Sequence, residues 1–171
     1  TEGRKKIYTN SSGNEISWVA QSPKDMDAII KSKLGRAKKV SNIDELSSNE
    51  KGELLEGQVA QAVQEMGLLK GVGLKLKRAN KLLAGDIDVL TDKYIIEVKK
   101  SFGAVGKNQL DKLINPNHSN YFNFDGKDII YYIEDATTDK IYKQKAYDML
   151  KNTENVKIVH NLEELKGVLL P

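Results

Sequence analysis

The 171-residue chain contains no cysteine, which excludes disulfide bonds, thiol nucleophiles and cysteine-ligated zinc. It contains only two histidines, so serine–histidine–aspartate catalysis and metal sites built from several histidines are disfavoured. No apolar run approaches the roughly 20 residues that a membrane-spanning helix needs, and the N-terminus lacks the apolar core of a signal peptide. Any metal bound by this chain must therefore be held mainly by carboxylates.

Charge is plentiful and nearly balanced, with 27 lysines and arginines against 24 acidic residues. The formal net charge of +3 alone says little about a partner, but the basic residues fall into two groups. One group occupies residues 24–39, and the other consists of Lys70, Lys75, Lys77, Arg78 and Lys81. Basic groups on both sides of a site are typical of a nucleic-acid-binding surface, although solvated surface lysines give the same pattern.

Residues 1–48 are polar and predict an N-terminal extension, a segment that serves delivery or braces the domain that follows. One helix is indicated there, with Ser22 as its N-cap, Pro23 at its first position and Gly35 at its end. The first residue is Thr1 rather than Met, which suggests a piece of a longer protein or a processed chain. Residues 49–171 predict a single domain of ordinary size.

The hydrophobic pattern from residue 49 onward predicts helix, three strands, helix and strand, followed by a further helix, strand and helix. Apolar residues recur at steps of three and four in the first helix, and residues 128–133 are typical of a buried strand. This order predicts an α/β domain with a mixed β-sheet flanked by helices.

Acidic side chains cluster around a predicted hairpin with its turn at residues 91–93. This turn places Asp88 opposite Glu97, and Asp86 opposite Lys99, on one face of the sheet. Like-charged carboxylates repel one another unless a cation lies among them, and oxygen ligands suit Mg²⁺ or Mn²⁺. The sequence therefore predicts a metal site at this patch.

The apolar residues of the same hairpin are predicted to face the other way and pack against a helix. They are Ile87, Val89, Ile96 and Val98. On the preceding helix, Glu56 flanks the apolar stripe, whereas Glu53 and Glu65 point away from it. Glu56 is therefore the helix residue predicted to reach the acidic patch.

Glu56 on a helix, Gly-Asp-Ile-Asp at 85–88 and Ile-Ile-Glu-Val-Lys at 95–99 together resemble the PD-(D/E)XK nuclease superfamily. The order of elements from residue 49 to residue 133 is similar to the core of that superfamily, which has a restriction-endonuclease-like fold. The match covers about half of the chain, and Gly85 stands where the family name has proline.

This resemblance implies metal-dependent hydrolysis of phosphodiester bonds, with Mg²⁺ as the expected ion and Mn²⁺ or Zn²⁺ as alternatives. Asp88 and Glu97, assisted by Asp86 or Glu56, would hold one or two ions, and Asp88 is favoured over Asp86 as the main ligand. Lys99 would position or help to deprotonate the attacking water and offset charge in the transition state. The predicted substrate contacts are Gln109, Lys100, Lys77 and Arg78, although Gln109 is equally typical of a solvated helix.

A narrower resemblance links the lysine- and asparagine-rich composition and the stretch from residue 85 to residue 122 to toxin domains of contact-dependent growth inhibition proteins of the CdiA type. These domains form the C-terminal part of a secreted surface effector and enter the cytoplasm of a target bacterium. The resemblance implies a cognate immunity protein and a tRNA or DNA substrate, with tRNA slightly favoured. The alternatives are a restriction or repair endonuclease and a non-catalytic nucleic-acid-binding module.

Overall fold

The computed structural model of the protein describes residues 4–135 and 141–171. Within them, seven strands form one sheet, and helices cover both of its faces. The strands are β1 (Lys5–Thr9), β2 (Glu15–Val19), β3 (Gly71–Arg78), β4 (Leu83–Leu90), β5 (Tyr94–Ser101), β6 (Asp128–Asp135) and β7 (Val156–Val159). The helices are α1 (Pro23–Leu34), α2 (Ser48–Glu65), α3 (Lys107–Ile114), α4 (Ile141–Lys151) and α5 (Leu162–Leu169).

The strands lie in the sheet in their chain order. Neighbours from β1 to β5 run antiparallel, whereas β5, β6 and β7 run parallel. This arrangement confirms the predicted α/β class with a mixed sheet flanked by helices. The restriction-endonuclease-like assignment within that class stays a prediction.

Two apolar clusters hold the helices to the sheet. The first cluster joins α1, α2 and α5 to one face, with Ile30, Val59 and Leu165 among its buried members. The second joins α3 and α4 to the opposite face, through Leu110 and Leu150. Burying such side chains is the main favourable contribution to folding, and here it fixes α2 and α3 on either side of β4 and β5.

Serine capping boxes begin the two helices on the first face. The Ser22 hydroxyl accepts from the backbone N–H of Asp25, and Ser47 does the same for Glu50 at the start of α2. Each arrangement satisfies backbone N–H groups that the first turn of a helix leaves unpaired. The predicted start of the first helix at Ser22 and its end at Gly35 are confirmed.

The N-terminal segment also contributes two strands that its polar sequence did not predict. Strands β1 and β2 form a hairpin, and β2 pairs with β3 through Ile16 opposite Arg78 and Ser17 opposite Lys77. Helix α1 packs against α2. Residues 5–34 therefore share the sheet and the core of the domain, and the role of this segment in delivery stays a prediction. No helix among the described residues is long and apolar enough to cross a membrane.

Candidate active site

The hairpin of β4 and β5 has the predicted register. Thr91 begins the turn, its backbone N–H donating to the carbonyl oxygen of Tyr94 at 2.9 Å. Leu90 pairs with Ile95 in the adjoining ladder. Continuing this antiparallel register places Asp88 opposite Glu97, as the sequence predicts.

The two strands separate beyond the pair formed by Val89 and Ile96, where their ladder ends. There the backbone N–H of Val98 donates to Asp88 Oδ2 at 2.8 Å. A side-chain carboxylate thus takes an N–H that a continuous ladder would pair with a carbonyl oxygen. The separation of the strands makes room for the carboxylates of Asp88 and Glu97 inside the sheet.

At this same level, the regular alternation of side chains between the two faces of the sheet is interrupted in β3 and β4. Val89 packs in the cluster on the α2 side, whereas Ile87 packs in the cluster on the α3 side. Between the paired residues of β3 on either side lies Gly73, which has a φ of +55° and stands opposite Asp88. A glycine adopts this left-handed conformation without steric cost. The prediction that Ile87 shares a face with Val89 was therefore wrong, because the alternation of side chains is interrupted in both paired strands at the level of Gly73, whose φ lies outside the extended range of a regular strand.

Burial makes ionisation of the central pair unfavourable. Asp88 is 6% exposed and Glu97 is fully buried. Burial raises the pKa of Asp88 to about 7, and the negative charge of Glu56 adds to this effect. Burial, followed by the charge of Asp88, also raises the pKa of Glu97 well above its ordinary value. Two buried carboxylates side by side ionise together only if a positive charge joins them.

Lys99 supplies part of that positive charge. Its ammonium group lowers the pKa of both Asp88 and Glu97, against the larger effect of burial. Lys99 is half-buried and lines a groove of about 430 Å³ between α2 and β5. Glu56 and Lys100 line the same groove, so three of the predicted site residues meet there.

The two carboxylate oxygens of Glu97 differ in their hydrogen bonding. Gln109 Nε2 donates to Glu97 Oε2 at 3.3 Å, while Glu97 Oε1 is buried without a hydrogen-bond donor among the residues that the structure describes. The carboxyl group of Asp88 lies close enough to Glu97 to share a hydrogen bond when one of the two is protonated. The hydroxyl of Tyr131, the residue paired with Glu97 on β6, is likewise buried and has no hydrogen-bond partner within residues 4–135 and 141–171. Burial and the neighbouring charges of Glu97 and Asp88 raise the pKa of Tyr131. Buried polar atoms without partners are rare in proteins and tend to mark functional sites.

The two other predicted acids are paired with lysines. Glu56 Oε2 lies 2.8 Å from Lys33 Nζ, and the two side chains are 23% and 16% exposed. Asp86 Oδ2 lies 3.5 Å from Lys75 Nζ at a more exposed position. The structure therefore brings Asp88 and Glu97 together and holds the carboxylates of Glu56 and Asp86 in ion pairs beside them.

The predicted substrate contacts fall on two surfaces. Gln109 and Lys100 lie at the carboxylate pair and its groove. Lys77 and Arg78 are exposed and line a separate cleft of about 780 Å³ between β2 and β3. The cleft is also lined by three further lysines and two acidic residues, namely Lys5, Lys75, Lys81, Glu15 and Asp25. Its charge therefore favours a polyanion.

The carboxylate pair fits a hard divalent ion. Among the residues that the structure describes, no group of three or more acidic or histidine side chains is arranged to hold a metal. Mg²⁺, however, is commonly bound by one or two carboxylates together with waters and substrate phosphate oxygens. Asp88 and Glu97 supply two such carboxylates, and Glu97 Oε1 accepts no hydrogen bond from any N–H or hydroxyl group of the described residues.

The two histidines have structural partners. His118 Nε2 lies 2.8 Å from Asn108 Oδ1, and its Nδ1 accepts from the backbone N–H of Asn120. His160 Nδ1 lies 2.9 Å from the carbonyl oxygen of Ile133. Each ring is therefore engaged in hydrogen bonds that hold local structure.

Two residues of the site were not singled out from the sequence. Lys33 comes 23 residues before its partner Glu56, in a segment expected to lie outside the domain. Tyr131 occurs in an apolar strand and is indistinguishable there from a core residue. Only the packing of α1 on α2 and of β6 on β5 reveals that both residues adjoin the acids.

Comparison of the chain with protein-family models, with curated proteins and with solved structures gave no match in any of the three.

Proposed function

We propose that the protein is a divalent-metal-dependent endonuclease that hydrolyses phosphodiester bonds. The observation that carries this proposal is the buried pair of Asp88 and Glu97. Burial disfavours ionisation of these carboxyl groups, and Glu97 Oε1 has no hydrogen-bond partner among the described residues. Burial and mutual repulsion disfavour the doubly charged pair, whereas a cation bound between the carboxylates would offset both charges.

Asp88 and Glu97 would hold the ion, which would polarise the phosphate and acidify a bound water. The backbone N–H of Val98 fixes one oxygen of Asp88, and Gln109 orients Glu97. Such outer hydrogen bonds hold carboxylates in the position for binding. Lys99, at the groove beside them, would orient the attacking water and offset negative charge in the transition state.

The substrate proposed is a nucleic acid, because a separate cleft with four lysines and one arginine reaches the acidic residues through the pair of Lys75 and Asp86. Lys75 lines this cleft and also pairs with Asp86 on the neighbouring strand, so cationic and acidic surfaces meet there. Contacts of this kind bind phosphates without reading bases. The preference for tRNA over DNA rests on the toxin resemblance of residues 85–122.

The same resemblance supports the proposed biological role, an interbacterial toxin carried at the C-terminus of a secreted surface effector and neutralised by an immunity protein. A toxin of this kind arrests a bacterium that expresses it in the cytoplasm, and the Lys99→Ala variant should relieve the arrest. A repair enzyme would be tolerated by the same bacterium. Growth of the host under induction distinguishes these roles.

The enzymatic proposal is tested by incubating the purified protein with total tRNA and with plasmid DNA. Reactions contain Mg²⁺, Mn²⁺, Zn²⁺ or EDTA, and Lys99→Ala is the control. We expect cleavage of one substrate that needs the metal and is lost in the variant. Binding of nucleic acid without cleavage under every condition would instead favour the non-catalytic binding module.

A further inference from the structure

The Lys33 side chain lies in a space between α1, α2 and β3 that two glycines leave open. A Cβ atom at Gly57 would lie 2.8 Å from Lys33 Cβ, closer than side chains approach one another. A Cβ atom at Gly73 would lie 3.6 Å from Lys33 Cε and 3.9 Å from its Nζ. The Lys33 side chain therefore packs against Gly57 at its Cβ and against Gly73 at its Cε and Nζ. Its ammonium group lies beside Gly73, the residue of β3 that stands opposite Asp88.

The ammonium group of Lys33 meets Glu56, whose charge acts directly on Asp88. Lys33 Nζ lies 2.8 Å from Glu56 Oε2 with both side chains largely covered. An ion pair shielded from water is stronger than one on the open surface. Glu56 therefore already has a cation, and Asp86 has one in Lys75.

We propose that Lys33 keeps Glu56 out of metal coordination, so that the site binds one divalent ion through Asp88 and Glu97 alone. This inference rests on the proposed function. Lys33 then acts as a positioning residue, because its ammonium group neutralises Glu56 where a second metal ion would otherwise do so. Helix α1, residues 23–34, thereby becomes part of the active site. Of the four predicted acids, the central pair is left to bind the metal because each of the other two is neutralised by a lysine.

The test measures Mn²⁺ binding to the full chain without substrate, from the electron paramagnetic resonance signal of the free ion. The key protein is the double variant Lys33→Gln/Glu56→Gln, which removes the ion pair without changing the net charge. Its matched control is Arg36→Gln/Glu53→Gln, which removes the neighbouring pair of 2.8 Å between the same parts of the chain. Urea unfolding checks that each variant is folded, and Lys33→Met replaces Lys33→Gln if the latter unfolds.

We expect one Mn²⁺ per wild-type chain, lost in Asp88→Asn and retained with unchanged affinity in both double variants. Lys33→Gln alone leaves the charge of Glu56 uncompensated beside the site and should tighten Mn²⁺ binding by about tenfold, because that charge attracts the cation. Two ions per wild-type chain, or loss of binding in Lys33→Gln/Glu56→Gln, would overturn the inference and leave the nuclease proposal standing. Failure of the wild type to bind Mn²⁺ would overturn both.

Discussion

The backbone N–H of Val98 donates to Asp88 Oδ2 at 2.8 Å where the ladder between β4 and β5 ends. This bond fixes a carboxylate inside the sheet, and the charges of Glu56 and Asp86 oppose its ionisation. Folding and protonation are therefore linked at this residue. Cation binding is linked to both, because an ion between the carboxylates would favour their charged forms.

The pH dependence of stability should report the protonation of Asp88. Its folded pKa of about 7 exceeds its ordinary value of 3.8, so between these values the folded state binds the proton more tightly than the unfolded state. The contribution of Asp88 to the free energy of unfolding must then fall as pH rises through this window. Asp88→Asn should remove that contribution and stabilise the metal-free protein at neutral pH.

Urea unfolding in EDTA at a series of pH values measures this difference. The gap between Asp88→Asn and the wild type should widen from acidic to neutral pH. A gap that stays constant across the series would show that Asp88 titrates normally in the folded protein.

Two glycines of α2 should respond oppositely to alanine. A Cβ atom at Gly52 would meet no described atom within 4 Å apart from its chain neighbours and the backbone of its own helix, so Gly52→Ala should stabilise the helix by about 0.5–1 kcal/mol. At Gly57 the same methyl group would meet Lys33 Cβ at 2.8 Å, so Gly57→Ala should destabilise the protein by about 1–3 kcal/mol. Equal effects of the two substitutions in urea unfolding would show that α1 does not pack closely on α2.

Tyr131→Phe should leave the metal-free protein as stable as the wild type or stabilise it by up to about 1 kcal/mol. The hydroxyl is buried without a hydrogen-bond partner, so its removal leaves no other group unsatisfied. Thermal unfolding in EDTA measures the change, with Tyr132→Phe on the same strand as the comparison. A loss of more than about 1 kcal/mol on removing the Tyr131 hydroxyl would show that it has a partner in the folded protein.

The elements around the acids were predictable because their signals are local. Alternating residues and the turn at 91–93 gave the correct register of Asp88 and Glu97. Strands β1 and β2 were missed because most of their residues are exposed, only Ile16 is buried and their sequence is polar. The partner of Glu56 was missed for another reason: contact with Lys33 depends on how two helices pack, and no local pattern encodes that contact.

The cleft between β2 and β3 should contribute to affinity through charge. Replacing Lys77 and Arg78 by glutamine should weaken nucleic-acid binding and reduce the slope of log affinity against log salt by about 0.7–0.9 for each phosphate that the protein no longer neutralises. Glutamines at Lys145 and Lys166, two exposed lysines of α4 and α5, provide a control with the same net charge. Binding is measured in EDTA by fluorescence anisotropy, and equal slopes for the two double variants would place the substrate elsewhere.

Cleavage of an end-labelled substrate by Asp88→Asn and Asp92→Asn tests the central claim most directly. Both substitutions remove one carboxylate from the same hairpin, but Asp88 is buried beside Glu97 whereas Asp92 is exposed in the turn. The account predicts Mg²⁺-dependent cleavage that EDTA stops, that Asp92→Asn retains and that Asp88→Asn loses by at least about a hundredfold. Cleavage that persists in EDTA, or that Asp88→Asn retains, would contradict it.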